Sequence, residues 1–102
     1  MSRTLSAPPN IVEEQQRAIL AVHGATARHI ESVPVREVFR KLVAWEGTVE
    51  VYEITGHPKA KRCYAWTIED GGQLKTTAVL ELSPVDSPQT AVKIAIAATA
   101  KR

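Results

Sequence analysis

The sequence predicts an α+β domain: a three-stranded antiparallel sheet packed on two helices in the order α-β-β-β-α, preceded by an additional N-terminal helix. Three observations carry this expectation. Val35, Val38, Phe39, Leu42 and Val43 recur at spacings of three and four, the pattern of one buried helical face. Three segments between 48 and 82 are rich in β-branched and aromatic residues or alternate apolar with polar ones. An alanine-rich segment behind Ser87-Pro88 closes the chain.

The chain has 102 residues, 44% hydrophobic and 24% charged, as expected of a single globular domain. Residues 1–9 are small, polar and proline-containing, and are expected to form a mobile N-terminus ahead of a 10–102 domain. Asn10 can cap a helix over 10–23, whose acidic first turn (Glu13, Glu14) suits the positive end of the helix dipole; Gly24 can end it. Residues 24–33 carry no decisive pattern. Pro34 then fits the first position of a second helix, Glu37 and Lys41 pair four apart on its outer face, and Gly47 stops it.

Strands are expected at Thr48–Thr55, Arg62–Glu69 and Leu74–Leu82, the last two joined through Asp70-Gly71-Gly72. The turn can close in two ways. A three-residue loop pairs Glu69 with Gln73 and gathers Tyr64, Trp66 and Ile68 with Ala78, Leu80 and Leu82 on one apolar face. A two- or four-residue loop shifts the parity: Cys63 and Ala65 join Ala78 and Leu80, and Tyr64 and Trp66 turn to the other face as an aromatic platform. The first register is favoured, because a small domain with a single Phe needs its large rings inside. Ser87 caps the final helix, with Pro88 at its first position.

From Val33 to Arg102 this order, the Gly56-His57-Pro58-Lys59 loop between the first two strands and the alanine-rich last helix resemble the double-stranded-RNA-binding domain. The resemblance implies an α-β-β-β-α topology and contact with an RNA duplex. In that family a Gly-Pro loop with a histidine enters the minor groove, and a lysine cluster opens the last helix. Asp86-Ser87-Pro88-Gln89-Thr90 stands at the cluster's place here.

Net charge is +2, and residues 46–102 balance at seven cations against seven acids, so no basic stripe runs through the chain. The local exception is the loop bearing His57, Lys59, Lys61 and Arg62, a candidate phosphate-binding surface that Arg36 and Arg40 would extend. Cys63 and His57 have the residue types of a nucleophile–base pair but lack a third orienting group. Glu50 and Glu53, three apart in a strand, point to opposite faces. His23, His29 and His57 have no metal-ligand spacing, and neither a cofactor motif nor a catalytic set is present.

One cysteine cannot close an internal disulfide, residues 1–9 lack the apolar run of a signal peptide, and the apolar run Ile94–Ala98 is too short to span a bilayer. The expectation is a cytoplasmic, non-catalytic binding module without membrane contact. Its partner is a protein or a second copy, docked on the 10–23 helix or a free sheet face. The alternatives are RNA-duplex binding through 57–62, and a small-ligand or enzyme pocket near Trp66 and Cys63.

Overall fold

The computed structural model describes residues 3–4 and 9–100. In chain order the elements are β1 (Arg3–Thr4), α1 (Pro9–His23), β2 (Thr26–Phe39), β3 (Leu42–Thr55), β4 (Arg62–Asp70), β5 (Gln73–Leu80) and α2 (Pro88–Ala100). The class is α+β with an antiparallel sheet, as expected. The sheet has four long strands rather than three, running β2-β3-β4-β5 as a meander, with the short β1 added to β4. Of the stretch expected to be a mobile terminus, Arg3 and Thr4 pair with Glu69 and Ile68, and Pro9 opens α1. Residues 1–2 and 5–8 lie outside the described residues.

The helix expected at 34–45 is strand. Val35 and Val38 lie in β2, Leu42 and Val43 in β3, and the chain reverses between them at Arg40-Lys41. Both turn residues have positive φ, 52° and 65°, the geometry that lets a two-residue turn follow the strand twist. Glycine or asparagine normally signals such a turn. Here two long cationic side chains adopt it, so the helical spacing arose by accident across a hairpin. Pro34 is accommodated because β2 is the edge of the sheet. The likeness to the RNA-binding domain began with a helix at these positions, and from Thr26 the order is instead β-β-β-β-α.

The β4–β5 register also differs from the favoured one. Gly71 and Gly72 both have positive φ and form a two-residue loop closed by Asp70 opposite Gln73. Cys63 and Ala65 therefore share a face with Ala78 and Leu80, and Tyr64 and Trp66 share the other with Val79 and Thr77. Trp66 is nevertheless buried, at 5% exposure. The helices do not lie together on one face: each covers its own, and the expected added helix is one of the two that build the core.

Face composition fits the covering. Under α1 the sheet presents mostly small residues (Ala27, Cys63, Ala65, Ala78) around Tyr52 and Ile54, with Ala25 of the α1–β2 connection beside them, so the helix settles closely with Ile19 inside. Under α2 the sheet presents Val35, Val49, Val51, Tyr64 and Trp66 against Ala91 and Val92. Burial on both faces explains why β3 and β4 contain unbroken buried runs at 49–52 and 63–67. Gly24, with φ 67° and its N–H on the Leu20 carbonyl, ends α1. Ser87 caps α2 through its Oγ, which accepts the Thr90 N–H at 3.2 Å.

One departure from a simple meander positions the site. β3 pairs with β4 only over Glu50–Glu53. Before Glu50 it leaves β4, and the β2–β3 hairpin continues as a two-stranded arm with a bulge at Glu37/Val38; another bulge, at His29/Glu31, lies opposite Tyr52 and Val51 just before the departure. The arm is fastened to α2: Gln89 donates to the Arg36 carbonyl at 3.0 Å and to the Glu37 carboxylate, and Lys93 lies 3.9 Å from Glu37.

Candidate functional site

The basic loop is a rigid turn. Gly56 enters it at φ 95°, and His57 Nδ1 accepts the N–H groups of Lys59 at 3.1 Å and Ala60 at 2.9 Å. The histidine thus holds its own loop in shape, and Ala60 anchors the loop in the α1-side core. Lys59, Lys61 and Arg62 are exposed. Arg62 sits opposite Glu53, whose other neighbour, Arg28, binds it at 2.8 Å. That hydrogen bond and the guanidinium charge hold the Glu53 carboxyl below its ordinary value.

Arg36 and Arg40 belong to the other end of the hairpin. Arg36 lies on the arm, 3.8 Å from Glu46, and Arg40 is in the turn. Fourteen residues of β3 separate that turn from the basic loop, on the order of 40 Å of extended strand. The six cationic candidates therefore form two separate groups.

Cys63 and Trp66 also part company, because three positions along a strand reverse the face. Cys63 is fully buried beneath α1, and burial pushes its thiol up to about 12. Such a thiol stays protonated near neutral pH, and the Nδ1 of His57 is occupied by backbone. Among the described residues no group of three His, Cys, Asp or Glu side chains is placed to hold a metal ion.

A polar network beneath α1 was not foreseen. Tyr52 donates to Gln15 Oε1 at 2.6 Å, Gln15 Nε2 donates to Thr67 Oγ1 at 3.0 Å, and Thr67 meets Thr76 at 2.8 Å. Beside it Glu50, 1% exposed, bonds His29 Nε2 at 2.8 Å and the Ser32 hydroxyl through one oxygen. Its second oxygen is buried without a partner among the described residues. Burial, with the Glu50 charge second, raises the Tyr52 phenol above its usual range. The network satisfies buried polar groups and fixes α1 on the sheet.

On the opposite face, where the arm leaves β4, the surface opens into a cleft of about 360 Å³. Trp45 forms the arm wall. Trp66, Ile68 and Thr77 form the sheet floor, and Val92, Ala95 and Ile96 of α2 close the far side. Trp45 and Trp66 meet edge to face, with ring centroids 5.8 Å apart and planes at 64°. Among the described residues no lining side chain is charged. A second groove of about 390 Å³, between α1 and the start of β2, is lined by Glu13, Gln16, Arg17, Leu20, Thr26 and Ala27, a mixed surface without aromatic walls. The first has the volume and apolar character of a ligand pocket.

Trp66 was singled out from sequence, but Trp45 and the α2 residues were not. Trp45 falls at the end of the stretch that resembles a helix. Nothing in its neighbourhood signals that a divergent hairpin brings it over Trp66.

Fold and cleft together define a class: a small antiparallel sheet with a helix on each face and an aromatic-walled apolar cleft at one end. No family model, curated protein or solved structure matches the chain. None of the helices among the described residues is long and apolar enough to cross a membrane.

Proposed function

We propose that the protein is a non-catalytic binding module whose recognition surface is the cleft between the β2–β3 arm, β4 and α2. One observation carries this reading: both tryptophans of the chain meet in one apolar cleft, lined among the described residues by no charged side chain. Burying both rings fully would have removed more apolar surface from water. Trp45 instead stays partly exposed at the rim of the cleft. Among the described residues the lining offers dispersion and aromatic contact, with the Thr77 hydroxyl as its one polar side chain and no acid or base beside it, which favours binding over chemistry.

Titration with 1-anilinonaphthalene-8-sulfonate, an anionic dye whose aromatic rings brighten on apolar surface, tests the reading. Saturable brightening is expected with the native chain, and affinity at least about tenfold weaker in Trp45→Ala. Equal affinity in the variant, or no saturable binding, overturns it.

A further inference from the structure

We propose that the tryptophan cleft takes a small aromatic carboxylate, with its ring against the two tryptophans and its anionic group on β5, at Thr77 and Lys75. The inference rests on the reading of that cleft as a binding surface, and names its ligand class.

The ladder places the charge. Residues directly opposed in an antiparallel ladder lie on the same face of the sheet. Trp66 and Ile68 line the cleft, and β5 sets Thr77 opposite the first and Lys75 opposite the second. Thr77 is itself part of the lining, and Lys75 borders it one ladder pair further on. The two residues are on the order of 7 Å apart along β5, and both are exposed. A hydroxyl and an ammonium thus follow one another on the same wall, and both can donate to a carboxylate.

The opposite wall carries the complementary chemistry. Trp45 presents its ring there, and the residue facing it across the arm is Glu37. That carboxylate is 14% exposed, accepts the Gln89 amide and lies 3.9 Å from Lys93. The acid on the arm side is therefore engaged by α2, while the β5 side adds a cation at the surface. An anionic head group meets favourable charge at Lys75 and stays hydrated in part, so no ion has to be buried. An ammonium head would meet a like charge, and a neutral one would gain nothing from it.

Size and wall chemistry limit the body of the ligand. A cleft of about 360 Å³ is at the small end of ligand pockets, which suits one ring and a short chain. Trp45 and Trp66, edge to face at 5.8 Å, offer both ring faces and ring edges to an incoming aromatic group.

The test uses the full chain and three probes that share one body, phenylbutyrate, phenylbutanol and phenylbutylamine, followed by tryptophan emission. At low salt the acid is expected to bind about three- to fivefold more tightly than the alcohol, and the amine more weakly than either. High salt should erase the difference. Lys75→Gln should bring the acid down to the alcohol and leave the alcohol unchanged. An alcohol that binds as tightly as the acid overturns the proposal, and so does an acid whose affinity survives Lys75→Gln. Failure of all three probes where the dye binds overturns it too. In each case the cleft reading stands on the dye and Trp45→Ala. If neither the dye nor the probes bind, both readings fall. Should Lys75→Gln fail to fold, the order of the three probes in the native chain still decides.

Discussion

The Tyr52 hydroxyl donates to Gln15 Oε1 at 2.6 Å, and this bond joins the centre of the sheet to the helix that covers it. Gln15 spends its amide nitrogen on Thr67, so one fully buried side chain serves two strands. Gln15→Ala leaves the Tyr52 hydroxyl and Thr67 to lose partners in a dry site. The expected cost is about 2–3 kcal/mol in urea unfolding. A variant within about 0.5 kcal/mol of native stability would contradict the role given to Gln15.

The turn at Arg40-Lys41 holds two non-glycine residues at positive φ. Each costs on the order of 1 kcal/mol relative to a residue suited to that region. Arg40→Asn with Lys41→Gly is therefore expected to raise stability by about 1–2 kcal/mol, seen as a higher urea midpoint at unchanged slope. A destabilised double variant would mean that the cationic side chains make contacts worth more than the backbone relief.

Cys63 carries a pH dependence whose sign can be worked out. Its folded value is raised from 9.0 to about 12, chiefly by burial. The unfolded chain therefore loses this proton first as pH rises. The stability contributed is whole below about 9 and is lost progressively as pH climbs from 9 towards 12. Cys63→Ala should flatten that alkaline decline, and the native thiol should react with a disulfide reagent at pH 8 only through unfolding. Rapid labelling of the folded protein would contradict the placement.

Trp66 and Trp45 should separate stability from recognition. Trp66 is buried against Val92 and Tyr64, and Trp66→Ala is expected to cost about 3–5 kcal/mol. Trp45 is partly exposed, so Trp45→Ala should cost less and retain the fold while weakening binding. Similar stability losses in both would place Trp45 in the core rather than at a rim.

Legibility in the sequence followed the presence of local chemical signals. Gly24, the Gly71-Gly72 pair and Ser87-Pro88 impose backbone choices on their neighbours, and α1, β4, β5 and α2 follow from them. β2 has no such punctuation. Its valines fit a helical spacing, its turn lacks glycine, and its pairing with β3 is decided by burial that only the assembled sheet provides. The register of Trp66 was missed for a related reason. Trp66 is buried as the small core requires, but on the other face, because a helix on each face makes either parity a buried one. Half of the site was visible as Trp66. The other half depends on where β3 leaves β4, and no residue near Gly47 announces that departure.

The most direct test uses the two indole N–H resonances, one each from Trp45 and Trp66. Two-dimensional nitrogen–proton spectra should be recorded while 1-anilinonaphthalene-8-sulfonate is added, and separately while a short RNA duplex is added. Both indole signals should move saturably with the dye, while the backbone N–H signals of His57 and residues 59–62 stay in place. Unmoved indoles, with loop amides that shift on adding the duplex, would contradict the assignment of the tryptophan cleft as the recognition surface.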